Sequence, residues 1–370
     1  MKYFSIPADF KQASIDKYYS LNDEYEESKI IETYGQLTES GTEFGSGRAA
    51  DHIPTISKSD LQKYIEYSTL KKIDFNYTLN TTCFSNNEFT EKGIKQLLIF
   101  LEELYEIGVK NLTIALPSMM ELVMLSKYKF NIKASTVCNI INPDKALSYK
   151  NIGVERIVVD ESINRDFETL EGIRIAFGEK VELIVNVICL KNCIYRMFHH
   201  NQMSHDNIPG QASTTYYSHR CMMKRSELPS NLIRMNFIRP EDIKHYVGIG
   251  IHYFKIQGRQ AAMNGDIYKC VKSYFSEEYD GNLLDLLNCF TTTNSFSHYI
   301  DNKKLENFII PFIKQKGFCK NNCNACNYCD QTITRCANVS EIEQTNHKAK
   351  LFYENFDQYK LSILELNKGE

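Results

Sequence analysis

Short runs rich in β-branched and aromatic residues alternate along the chain with longer stretches in which apolar positions recur every three or four residues. A parallel sheet built from strand–helix units produces that rhythm, since each helix must cover the sheet and return the chain to its starting edge. Eight strands are predicted, at Lys2–Pro7, Lys29–Gly35, Lys72–Asn80, Asn111–Pro117, Ile132–Cys138, Glu155–Glu161, Glu182–Cys189 and His252–Gly258. The helix predicted over Thr90–Ile107 places Leu97, Leu98, Leu101 and Leu104 on one stripe, with Gly108 as its stop. Further helices are predicted at Ser118–Tyr128, Pro143–Tyr149, Asp166–Phe177 and Gln260–Phe275. Together these elements predict an α/β chain. A (β/α)8 barrel of the TIM type spans residues 1–278, with a long loop over 190–251, and a helical, cysteine-rich C-terminal extension follows over 279–370.

Two connections break the rhythm, after the second and seventh strands, where a barrel carries its functional loops. Gln36–Pro54 contains Glu43-Phe44-Gly45-Ser46-Gly47-Arg48, whose glycines permit a tight turn with Arg48 reaching outward. A solvent-facing arginine is the commoner use of such a turn, and capture of a carboxylate or phosphate the more specific one. Leu190–Ile251 is too long for a plain crossover, carries Cys193 and Cys221, and is expected to fold over the barrel mouth.

Composition narrows the class. With 43% hydrophobic and 24% charged residues there is material for a large core, and the net charge of -3 carries no global signature of polyanion binding. The opening MKYFSIPADF lacks a basic segment followed by an apolar run, and no stretch approaches about 18 uninterrupted apolar residues, so a cytoplasmic protein without a membrane span is expected. In that compartment twelve cysteines point to metal ligation in preference to disulfides. Cys83, Cys138, Cys270 and Cys289 stand apart and read as ordinary thiols, whereas Cys189, Cys193 and Cys221 form one group and Cys319, Cys323, Cys326, Cys329 and Cys336 another.

Soft thiolates select zinc, copper or iron–sulfur clusters, and the first group lacks the paired Cys-x2-Cys knuckles of zinc ribbons, which favours iron–sulfur. The second group, with the run Cys319-x3-Cys323-x2-Cys326-x2-Cys329, is the most specific local signal in the chain. In ferredoxin runs of this density the last cysteine serves a different cluster from the first three. The spacing therefore predicts a division into one or two 4Fe-4S clusters: Cys323, Cys326, Cys329 and Cys336 around one, and Cys319 joining Cys189, Cys193 and Cys221 around the other. Full occupancy of both would give about eight irons per chain. The first three cysteines of the run also match the radical S-adenosylmethionine spacing. In those enzymes, however, the triplet follows the first strand, where this chain has Ala8-Asp9-Phe10.

Polar residues gather at the predicted carboxyl ends of the strands, where barrels place their chemistry: Glu32, Asn80, Ser135, Asp160, Glu161, Asn186, Lys255 and Arg259. Singly, each is more often a hydrogen-bonded rim residue than a catalyst, and their convergence on one rim is the signal. Glu32 and Asp160 are the candidates for moving protons and Lys255 for catalysis, with Arg48, Arg196 and Arg259 binding an anionic substrate. No nucleophile elbow and no His-Glu-x2-His motif is present.

The segments Asn186-Val187-Ile188-Cys189, Cys193, Cys221, Ile238-Arg239-Pro240-Glu241-Asp242 and Phe254-Lys255-Ile256-Gln257-Gly258-Arg259, with Ser135-Thr136 and Asn139, carry a family resemblance. Over roughly residues 70 to 275 the chain resembles the collagenase-like peptidase family of unknown catalytic type, family U32. Despite that name, the resemblance implies kinship with iron–sulfur proteins that assist oxygen-independent hydroxylation of ubiquinone precursors or of pyrimidines in RNA, some of them taking oxygen from prephenate. It sets Cys189, Cys193 and Cys221 at three of the family's four cluster positions, and Lys255 and Arg259 in its strand-eight element. The fourth cysteine is missing, since none occurs from Met222 to Lys255. The expected function is iron–sulfur-dependent modification of RNA, a quinone precursor or a peptide, with an anionic oxygen donor such as prephenate and a redox partner. The alternatives are a peptidase, as the family name implies, and a non-catalytic electron-transfer or maturation protein.

Overall fold

The computed structural model describes residues 1–38, 53–205, 216–291 and 298–368. Strands β1 (Lys2–Pro7), β2 (Ser28–Gly35), β3 (Asp74–Leu79), β4 (Asn111–Ile114), β5 (Asn131–Ala134), β6 (Arg156–Val158), β7 (Val181–Ile184) and β8 (Tyr253–Lys255) pair in parallel. They close in chain order, β1 lying between β2 and β8. Helices alternate with the strands and a helical region follows, so the chain is a (β/α)8 barrel with a helical C-terminal region. Among the described residues no helix is long and apolar enough to cross a membrane.

The predicted strands overrun the ladder at its carboxyl end. β5 stops at Ala134 and the chain turns through Thr136–Cys138 into Asn139, which is left-handed at φ 54°, while β6 stops at Val158 before a turn at Glu161–Ile163. Leaving the ladder there lets Ser135, Asp160 and Glu161 meet side-chain partners at the mouth. The helix predicted over Gln260–Phe275 is two helices, Ala261–Asn264 and Ile267–Phe275. Gly265 divides them where a Cβ would lie 2.5 Å from the Cys289 carbonyl oxygen, and Asp266 caps the second by accepting from the Lys269 amide.

Side chains alternate between the helix-facing and lumen-facing sides of each strand. Phe4, Phe254, Tyr274 and Phe275 pack together on the outside, while Val158 and Ile184 form a small apolar group in the lumen. Beside that group the lumen is ionic. Lys133 on β5 pairs with Glu32 on β2 and, at 2.8 Å, with Glu182 on β7. Arg156 on β6 lies 3.3 Å from both carboxylates, and Ser5 on β1 donates to Glu32 at 2.6 Å. Two cations thus balance two anions, tying together five strands.

The tail returns to the loop that follows β7. The buried Arg165 guanidinium donates to the carbonyls of Ile233 and Met235 at 2.9 and 2.7 Å and lies over Phe237, Phe308 and Phe312. Arg234 reaches both oxygens of Asp330 at 3.0 and 3.1 Å, and Arg220 pairs with the fully buried Asp357 at 2.6 Å. Loop and tail therefore form one packed layer.

A buried charge stripped of its partner is far costlier than one never buried. Replacing Lys133 with Met is expected to destabilise the fold by about 3–5 kcal/mol in denaturant titration. Pairing it with Glu32→Gln should recover at least about half of that loss, because one charge of each sign is then removed. Equal stability of the single variant and the unmodified protein would contradict this account of the lumen.

Candidate functional site

The barrel mouth is built from the strand ends. Lys255, last in β8, pairs in register with Ser5 and Ile184. Its amine lies 3.6 Å from the centroid of the Tyr34 ring, whose hydroxyl donates to the Ile256 carbonyl at 2.8 Å. Burial, with the positive charge of Lys133 behind it, pushes the Lys255 ammonium down to about 7. Arg259, also buried, donates to the Gln36 side chain at 2.6 Å. Asn186 and Gln257 lock to each other: the Asn186 side chain accepts from the Gln257 amide at 2.8 Å and donates to its carbonyl at 2.8 Å.

Other residues singled out from sequence are already engaged. Glu32 sits in the lumen cluster; burial alone would raise its carboxyl, but Lys133 and Arg156 hold it well below the ordinary carboxylate range. Arg196 grips Asp160 through both carboxylate oxygens at 2.7 Å and Glu161 at 2.6 Å, so it serves as counter-ion to two buried acids on the mouth. Arg48 lies outside the described residues.

The cysteines sort differently from their spacing. Cys189 and Cys221 do not line the cavity that Cys193 borders; burial and the Glu161 charge push the Cys189 thiol up to about 12 against the opposing pull of Arg196. Cys193 instead lines a cavity of about 660 Å³ together with Cys319, Cys323 and Cys329 from the tail. Arg165 and Arg234 line the same cavity; burial pushes the Cys329 thiol up to about 11 against their opposing pull. The Lys191 ammonium lies 3.7 Å from the Cys319 sulfur. Cys326 is exposed. Cys336 is buried, its thiol donating back to the Thr332 and Ile333 carbonyls of its own helix at 3.4 and 3.7 Å.

Among the described residues no three His, Cys, Asp or Glu side chains converge tightly enough for a single metal ion. A lone tetrahedral zinc would need its sulfurs within about 4 Å of one another. The four thiols instead line one cavity, and soft sulfur donors beside a space bordered by three guanidiniums fit a bulkier, negatively charged thiolate-bound iron–sulfur cluster. Lys133, Arg156, Glu182, Arg165 and Arg234 are site residues that no motif in the sequence singles out. The available signal for the first three was a charged residue in a strand that a closed parallel barrel must bury on both faces.

Comparison with known proteins agrees with this architecture. The family model described as Peptidase family U32 matches residues 40–280. A protein of Methanocaldococcus jannaschii described as an uncharacterized protease is 32% identical over 298 residues, which cover 80% of this chain and 86% of that protein. A solved U32 peptidase superposes with a TM-score of 0.50 at 15% identity, covering 69% of this chain and 92% of its own, a likeness of fold alone. By the extent of the family match and the identity to the archaeal relative, the chain belongs to peptidase family U32.

Proposed function

We propose that the protein is a barrel enzyme with an iron–sulfur centre seated beside its mouth, and that it modifies an anionic substrate by oxygen-independent hydroxylation or a related reaction. The observation that carries this reading is the meeting of Cys193 with Cys319, Cys323 and Cys329, more than 120 residues away in sequence, around one cavity. Those four residues would hold the cluster, and Cys336 is left out because its thiol is committed within its own helix. When bound, such a cluster supplies or accepts electrons one at a time. The chain's own part is to bind and orient. Arg259 offers positive charge to an anionic group at the mouth, while Arg196 holds the Asp160 and Glu161 carboxylates in place. RNA, a quinone precursor and a peptide are the substrate classes that the family resemblance supports.

The second reading is a peptidase, favoured by the family's description and by the name of the archaeal relative. It predicts peptide cleavage that survives removal of iron. The two separate in one experiment on anaerobically purified protein. About four irons and four sulfides per chain are expected, falling below about one on Cys319→Ser with Cys329→Ser, and persisting in Cys189→Ser with Cys221→Ser. Iron-free protein that cleaves gelatin peptides would overturn the first reading in favour of the second.

A further inference from the structure

We infer that Lys255 is an imine-forming nucleophile, and that the mouth accepts a small 2-oxo acid whose carbonyl carbon condenses with its amine. This goes beyond the iron–sulfur reading and does not depend on it.

The argument begins with charge balance in the lumen. Lys133 and Arg156 already neutralise Glu32 and Glu182. Asp74, the remaining acid near this group, is exposed at the opposite end of the barrel. Lys255 is therefore a third cation with no anion assigned to it. Among the described residues its amine makes no hydrogen bond or ion pair, and its one contact of note is the face of Tyr34. The charged groups that act on it are Lys133 on β5, Glu182 on β7, Glu32 on β2 and Arg259 beyond β8, and burial outweighs them all. A buried lysine set against another cation is the arrangement that yields a neutral, nucleophilic amine at ordinary pH.

Position supplies the second half. Lys255 ends its strand, so the amine stands at the carboxyl end of the lumen, where barrels bind substrate. Arg259 follows four residues later at the same mouth and provides a cation for a carboxylate. A ligand spanning the two would carry an anionic group next to an electrophilic carbon, which describes a 2-oxo acid.

The step balances without an oxidant or reductant. The neutral Lys255 nitrogen forms a bond to the carbonyl carbon as the carbon–oxygen π bond opens. The resulting carbinolamine then loses its hydroxyl together with a nitrogen proton as water, leaving a carbon–nitrogen double bond. Amine and carbonyl have become imine and water.

The test is reductive trapping on the whole protein with pyruvate as probe. With sodium cyanoborohydride at pH 7, peptide mapping should find Lys255 alkylated at least about tenfold faster than surface lysines, which stay protonated up to about pH 10.4. The advantage should shrink as pH rises toward that value. Methyl pyruvate, lacking the carboxylate, should lower labelling of Lys255 relative to the surface. Labelling of Lys255 no faster than that of surface lysines at pH 7 would overturn the nucleophile. Equal preference for the ester would overturn the 2-oxo acid. Neither outcome depends on iron content, so the result is separable from the cluster proposal.

Discussion

Lys133 holds two carboxylates that could not otherwise be buried in the barrel, and much of the molecule follows from that constraint. Glu32, Glu182 and Arg156 share its site, so β2, β5, β6 and β7 are joined through the lumen as well as by their backbone ladders. A buried ion group of this kind contributes little net stability compared with an apolar filling, but it is costly to disturb and so favours one arrangement of the strands. It also sets the electrostatics one layer up. With its own charges balanced, it offers Lys255 no counter-ion, and the amine above it is driven toward the neutral form.

The same rule, that a buried charge needs a partner, organises the outer layer. Three arginines fasten the tail to the loop after β7: Arg165 through backbone carbonyls and aromatic faces, Arg234 through Asp330, and Arg220 through Asp357. These contacts bring the tail cysteines to Cys193. All three arginines also line the thiol cavity, so the contacts that fasten the tail also border the site.

Strand positions were legible in the sequence because a parallel barrel writes them as short β-rich runs separated by helical stripes, and all eight appear near their predicted places. Their ends were harder to read. Val137 and Val159 look like strand continuations, yet the chain there turns to satisfy Ser135, Asp160 and Glu161. The rim polar residues were visible as a set, but not their pairing: Arg196 follows Asp160 by thirty-six positions, and nothing local in the sequence says that it will close on both acids. The cysteine grouping was least legible. Spacing joins Cys319 to the loop cysteines Cys189, Cys193 and Cys221, whereas the docked tail sets Cys193 beside Cys319, Cys323 and Cys329 on one cavity, and Cys336 turns inward because its helix buries that face.

Iron-edge anomalous diffraction from crystals grown without oxygen tests the central claim most directly, because it reports where iron sits and not only how much is bound. The account predicts a compact iron peak bounded by the sulfurs of Cys193, Cys319, Cys323 and Cys329. A fully ordered cavity with no iron, or iron held elsewhere by Cys189 and Cys221 alone, would contradict it.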